Sequence, residues 1–258
     1  MNTQTRSLSH RRRIWGASYA DRVLSTAPIA YWPLDEKAGT GARCPVDSNL
    51  DGTYAAAGIA YAADEDGPFG TAAPTFDGSN TYVSFGNASF AAAWDGDLFS
   101  MISWGRVDGS ARWTDSATYR YLQHIRSSAD STYYAVMGKN TTNHQLEWRR
   151  RSGGAIVSQT YTFSPSGPLD WFCMGMTHDQ SVPVLNYYLW DSVNGFQTLT
   201  PSNSASLTAW GANPPDQAGT TVMMAGSITA QEWIGAGAQH IVWDRMLSTA
   251  TMQALMTP

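Results

Sequence analysis

Ala30-Tyr31-Trp32-Pro33-Leu34-Asp35-Glu36 near the start of the chain, and Gly237-Ala238-Gln239-His240-Ile241-Val242-Trp243-Asp244-Arg245-Met246-Leu247-Ser248 just before its end, decide the fold. Both set aromatic and aliphatic residues against abrupt polar stops, which is the composition of strands. Between them the turn signals come thickly: Asp51-Gly52, Asp66-Gly67-Pro68, Asp77-Gly78, Asp95-Gly96, Asp108-Gly109, Gly153-Gly154 and Asn194-Gly195. Each offers the positive-φ or tight-turn chemistry that strand connections need. β-type runs lie between these turns. Thr81-Tyr82-Val83-Ser84-Phe85 alternates, and so does Leu146-Glu147-Trp148-Arg149, which returns through Gly153-Gly154 into Ala155-Ile156-Val157. Tyr187-Tyr188-Leu189-Trp190 is another such run. The pattern predicts a two-sheet sandwich of a dozen or more strands.

The bracketing pair resembles the opening and closing strands of the laminin-G/concanavalin-A-like jelly rolls. In that family an early strand reads roughly "a-Y-W-x-L-D/N-E". A late strand reads "i-x-x-v-x-i-y/w-D-R-x-L-S" and runs into a short terminal helix. The resemblance spans about residues 28–256. It implies an all-β fold, a two-sheet antiparallel jelly-roll sandwich with a short N-terminal helix and a short C-terminal helix. It places Tyr31–Leu34 beside Ile241–Trp243, a pairing that hides two otherwise free edges. Function stays open, because such sandwiches host lectins, glycosidases, adhesion modules and virion proteins alike.

Working outward, residues 1–13 are polar and basic, while Trp15, Tyr19 and Val23 fall at helical spacing. Residues 15–26 therefore read as a short amphipathic helix ended by Pro28. At the other end Ser248 is an expected N-cap, with Leu247 placed to staple onto Met252. The domain reading is a basic arm and short helix over 1–27 and a jelly roll over 28–258. Asp21-Arg22-Val23-Leu24-Ser25-Thr26-Ala27 nearly repeats as Asp244-Arg245-Met246-Leu247-Ser248-Thr249-Ala250. A true repeat would extend further, so we read this as local convergence.

Composition narrows the partners. Of the 258 residues only 14% are charged, against roughly 25% in a typical soluble domain, while eleven Trp and twelve Tyr are many. A surface so poor in charge suggests cover by partners. The net charge of −5 argues against nucleic acid as a partner. No apolar run reaches the ~18 residues of a membrane span, and no secretory signal is visible. Cys44 and Cys173 are the only cysteines. Cys173, in Trp171-Phe172-Cys173-Met174-Gly175-Met176, reads as a small hydrophobe on a strand buried on both faces.

Candidate chemistry is sparse. Glycoside hydrolysis needs two carboxyl groups facing across a cleft. The four glutamates, Glu36, Glu65, Glu147 and Glu232, show no Glu-x-Asp-x-x-Glu arrangement. The five histidines are scattered, with no zinc spacing and no Gly-x-Ser-x-Gly elbow. Catalytic and metal residues are therefore entered as none, and no cofactor is expected. A rim calcium through Asp77, Asp95, Asp97 or Asp191 is conceivable without being assignable. Trp113 and Trp210, in expected loops, are the candidate glycan contacts, or else plugs at the sandwich ends. Arg149-Arg150-Arg151 reads as a charged strand end on a solvated face.

The segment Tyr19–Glu36 resembles the leader of jelly-roll domains in tailed-phage structural proteins, "Y-x-x-x-V/I-L-x-x-x-P-x-A-Y-W-x-L". That resemblance implies a non-enzymatic virion protein, a head decoration or a tail or fibre-associated module, made in the host cytoplasm. Its arm would dock through Arg11, Arg12, Arg13, Ile14, Trp15 and Tyr19. The expected partners are other virion proteins such as a major capsid or tail protein, in a homo-oligomer or symmetric array. The alternative is a carbohydrate-binding module that attaches to a host glycan.

Overall fold

The computed structural model describes residues 18–55, 59–61, 67–79, 81–94, 96–116, 119–127, 129–130, 132–210, 217–219, 223–224, 227–228 and 232–258. Helix α1 (Tyr19–Ser25) precedes strands β1 (Ala30–Trp32), β2 (Gly41–Ala42), β3 (Gly52–Tyr54), β4 (Ala60–Tyr61), β5 (Pro74–Asp77) and β6 (Val83–Ser84). Helix α2 (Ala88–Ala93), strand β7 (Leu98–Val107) and the single turn α3 (Ala111–Thr114) follow. An antiparallel meander comes next: β8 (Arg120–Arg126), β9 (Tyr134–Lys139), β10 (Gln145–Ser152) and β11 (Ala155–Thr162). Then come β12 (Phe172–Asp179), β13 (Val184–Asp191), β14 (Gly195–Thr198), β15 (Ser202–Asn203) and β16 (Gln217–Gly219). The small pair β17 (Met223–Met224) and β18 (Ser227–Ile228), β19 (Ile234–Trp243) and helix α4 (Thr249–Met256) complete the described elements.

Two antiparallel sheets stack as a sandwich. The first runs β14-β13-β12-β7-β19-β5-β4, with β1 also on β19 and β15 on β13. The second runs β11-β10-β9-β8-β16-β6-β3-β2. The opening and closing segments pair as expected, with Tyr31 opposite Ile241 and Trp32 opposite His240.

Strand alternation splits the apolar residues into two layers. Phe99, Met101, Phe172, Met174, Met176 and Leu189 point between the sheets, where they meet Leu122, Met137, Leu146 and Trp148 of the second sheet. Ile102, Trp104, Cys173, Tyr188, Ile241 and Trp243 point the other way, toward α1 and α4. Both faces of the first sheet are therefore buried. That accounts for the unbroken apolar run around Cys173.

Helix α1 starts with a reciprocal cap, in which the Ser18 hydroxyl accepts from Asp21 N at 3.1 Å and Asp21 Oδ2 accepts from Ser18 N at 3.0 Å. It buries Tyr19 and Val23. Burial of each apolar side chain contributes roughly 1.5–3 kcal/mol, more than propensity supplies in so short a helix. The near-repeat takes two conformations. Its first copy is helical, whereas the second is a turn that becomes helix only at Thr249. The copies nonetheless meet: Arg245 donates to the carbonyls of Thr26 and Ala27, Trp243 Nε1 donates to Thr26 Oγ1 at 3.0 Å, and Arg22 donates to Ala254 O at 2.9 Å. Helix is not confined to the ends, since α2 and α3 are internal.

Candidate functional site

The outward face of the second sheet carries the one concentration of charge and aromatic rings not spent on packing between layers. Its register gives three rows across β10, β9 and β8: Glu147–Gly138–Tyr121, Arg149–Val136–His124 and Arg151–Tyr134–Arg126. Neither α1 nor α4 lies here, because both pack on the first sheet.

A bulge in β8 builds the site. The register with β9 shifts between Tyr121 and Gln123, so Leu122 and Gln123 both turn inward. Leu122 joins the core, and Gln123 Oε1 accepts from Ser103 Oγ at 2.5 Å. The extra residue leaves Tyr121 facing outward beside Tyr119, a re-aiming that bulges commonly perform. The two rings are 6.1 Å apart and nearly parallel at 2°. Gly138 is required at that point, since a Cβ there would lie 2.1 Å from Arg120 O.

The polar groups are tied into this platform. Arg149 donates to Glu147 Oε1 through Nε at 2.9 Å and Nη2 at 2.6 Å, and to Tyr119 OH at 2.9 Å. Its guanidinium carbon lies 4.7 Å from the Tyr119 ring centre. Burial pushes the Glu147 carboxyl up, opposed by Arg149. Burial works against the Arg149 cation, but Glu147 and the Tyr119 hydroxyl outweigh it and hold its pKa above the usual arginine value. Desolvation raises the Tyr121 phenol as well. His124, fully buried and next to Arg126, is pushed down to about 3 and stays neutral. Glu147 Oε2 and Arg151 Nε are buried without a hydrogen-bond partner. The result is a partly desolvated surface of flat rings edged by fixed donors and acceptors, an arrangement that suits sugar rings.

The residues singled out from sequence lie elsewhere. Arg11, Arg12, Arg13, Ile14 and Trp15 fall outside the described residues. Tyr19 is not an exposed docking residue: its ring stacks on Phe69 at 3.8 Å, and its hydroxyl accepts from Trp104 Nε1 at 3.3 Å. Trp113 and Trp210 are 0% and 1% exposed and present no face to a glycan. Trp113 fills the space beside Gly167 and donates to Pro168 O, and Trp210 packs beside Gly96 under Arg150. Both plug the sandwich because their loops fold back over its ends.

The arginine triplet also divides. Arg149 and Arg151 face outward, but Arg150 is fully buried, 4.3 Å over the Trp210 ring and 3.7 Å from Asp97. Among the calcium candidates, Asp77 accepts from Ser79 N and Thr81 Oγ1, and Asp97 accepts from Trp210 N. Asp191 accepts from Val193 N and Asn194 N, while Asp95 lies outside the described residues. Among the described residues no three His, Cys, Asp or Glu gather as a metal site. Glu36 holds Arg43 N and the Tyr54 hydroxyl, both at 2.6 Å, a structural role. His240 bonds across the sheet to Ser103 at 2.9 Å rather than locally.

Sequence reading passed over Tyr119, Tyr121 and the Glu147–Arg149 pair. The available signal was the i, i+2 spacing of Tyr119-Arg120-Tyr121 and of Glu147-Trp148-Arg149, which puts each pair on one face of a strand.

Among solved structures, the chain is similar to domain 4 of AbnA, a GH43 extracellular arabinanase from Geobacillus stearothermophilus, in complex with arabinotriose. The likeness has a TM-score of 0.61 at 14% identity and covers 89% of this chain and 98% of that domain. It is also similar to Trypanosoma rangeli sialidase in complex with sialic acid, with a TM-score of 0.61 at 12% identity over 91% of this chain but only 33% of the sialidase. The CBM40 of the Ruminococcus gnavus IT-sialidase gives a TM-score of 0.52 at 7% identity, covering 66% of this chain and 88% of that module. At such identities the likeness establishes the β-sandwich fold. No family model and no curated protein matches the chain.

Proposed function

We propose that the protein is a non-catalytic carbohydrate-binding module that holds a glycan on the outward face of β8, β9 and β10. The carrying observation is the parallel Tyr119–Tyr121 pair set beside the Arg149–Glu147 ion pair on a face that neither terminal helix covers. Flat rings supply apolar stacking for a sugar, and the fixed guanidinium and carboxylate supply orientation. Sandwiches of similar fold that carry bound sugars in other proteins fit this reading. Hydrolysis fits less well. Glu147 is held by Arg149, and Glu232 lies near Arg120 and Asp77, so neither is arranged as one of two carboxyls facing across a bond. The virion reading keeps its leader resemblance, but its docking residues lie outside the described residues and Tyr19 is used inside the fold.

The test is titration of the full chain with a panel of neutral and acidic oligosaccharides. Tyr121→Ala and Arg149→Ala should each weaken binding about tenfold or more, on the order of 1.4 kcal/mol. Val193→Ser, on the β13–β14 turn, should leave it unchanged. Equal loss in all three variants, or binding to no member of the panel, rejects the proposal.

A further inference from the structure

The charge on this face is out of keeping with the molecule. The chain has a net charge of −5, yet the three rows gather Arg126, Arg149 and Arg151 against the single carboxylate of Glu147. Arg149 is neutralised by that carboxylate. Arg151 and Arg126 stand in the row beyond it, on either side of Tyr134. Asp130, at the rim, is the carboxylate that senses Arg151.

Strand spacing puts the two outer arginine backbones ~10 Å apart, close enough for their long side chains to converge over the Tyr134 ring. Arg151 Nε is buried without a hydrogen-bond partner. A buried guanidinium donor left unpaired is costly, and an anion supplies what it lacks. From this row to that of Tyr121 is ~14 Å along the strands, the reach of a short oligosaccharide.

We infer that the glycan held on this face is acidic: a carboxylate-bearing sugar unit sits between Arg151 and Arg126 over Tyr134, and the units beyond it run toward Tyr119 and Tyr121. This inference rests on the glycan-binding reading and names its substrate class. Guanidinium groups match carboxylates with two parallel hydrogen bonds, which a neutral hydroxymethyl group cannot reproduce. A site built for that pairing discriminates against the uncharged analogue because its donors are then left bare.

The test compares matched ligands on the full chain by calorimetric titration. The probes are an oligogalacturonate and a sialylated trisaccharide, each against its own methyl ester, at low and at physiological salt. Each acid should bind at least tenfold tighter than its ester, and the advantage should shrink as salt rises. Arg151→Gln should remove most of the acid's advantage while leaving ester affinity and the unfolding midpoint unchanged. Arg126 is nearly buried, so Arg126→Lys serves as the second variant, with folding checked by circular dichroism.

Equal affinity for acid and ester overturns this inference and leaves the glycan-binding reading standing. Binding of neither form overturns both. Equal binding of a single-stranded oligonucleotide would show a general anion surface and overturn it as well.

Discussion

Arg150 lies 4.3 Å over the Trp210 ring, inside the sandwich, although its chain neighbours Arg149 and Arg151 face outward. It donates to Gly96 O at 3.2 Å and Arg151 O at 2.6 Å, and Asp97 stands 3.7 Å away. Burial pulls its pKa down to about 10, with Asp97 opposing, so the group stays charged at neutral pH. Asp97 in turn accepts from Trp210 N. One buried cation thus holds the 204–210 segment against the sandwich end.

Arg150→Ala should therefore destabilise the fold by about 3–5 kcal/mol, the usual cost of breaking a buried pair. Arg150→Lys should recover only part of this, because an ammonium cannot stack flat on the indole. Urea denaturation at pH 7 measures both. A loss under ~1 kcal/mol for the alanine variant would mean that the Trp210 segment is held by other contacts.

Helix α1 belongs to the fold energetically. Truncation to residue 18 should leave the unfolding midpoint nearly unchanged. Removal through Ala27 strips Tyr19 and Val23 from the layer over Trp104 and Trp243 and should cost ~3–6 kcal/mol from those two side chains. The pair of truncations, compared by thermal unfolding, separates the arm from the helix.

Acid should destabilise the protein through its buried histidines. Desolvation, with a smaller contribution from nearby Arg150, lowers His178 to about 4; desolvation lowers His240 to about 3, and desolvation with Arg126 lowers His124 to about 3. The unfolded chain, with histidine near 6.5, binds these protons first. Stability therefore falls as pH drops from about 6.5 toward 3–4, by up to ~1.4 kcal/mol per pH unit for each histidine. His240→Gln should flatten this limb by one histidine's share in a series of denaturation curves from pH 7 to pH 4. An unchanged slope would mean that His240 is already protonated in the fold.

Gly138→Ala should damage both fold and site. The added Cβ would lie 2.1 Å from Arg120 O and 2.9 Å from Tyr121 Cα, so β8 must move away from β9. Overpacking of this kind costs about 1–3 kcal/mol. Because the shift falls at the bulge, Tyr121 should be displaced and glycan affinity should drop together with stability.

The sandwich was legible in the chain because its signals are local. Asp-Gly and Gly-Gly turns need no partner to be recognised, and Ala30–Trp32 and Ile241–Trp243 are apolar enough to read as strands in any register. The two capped helices were equally plain, since Ser18 and Ser248 bond within three residues of themselves. The site was not legible. A period of two has two phases, and nothing within Arg149-Arg150-Arg151 says which arginine points inward. The bulge before Gln123 then reverses the phase partway along β8, so that Tyr121 faces out while Leu122 and Gln123 both face in. Trp113 and Trp210 posed the same problem in loops, where exposure depends on how each loop folds back over the sandwich end. Local propensity sets what a segment becomes; which face it turns to water follows from register and packing against strands far away in sequence.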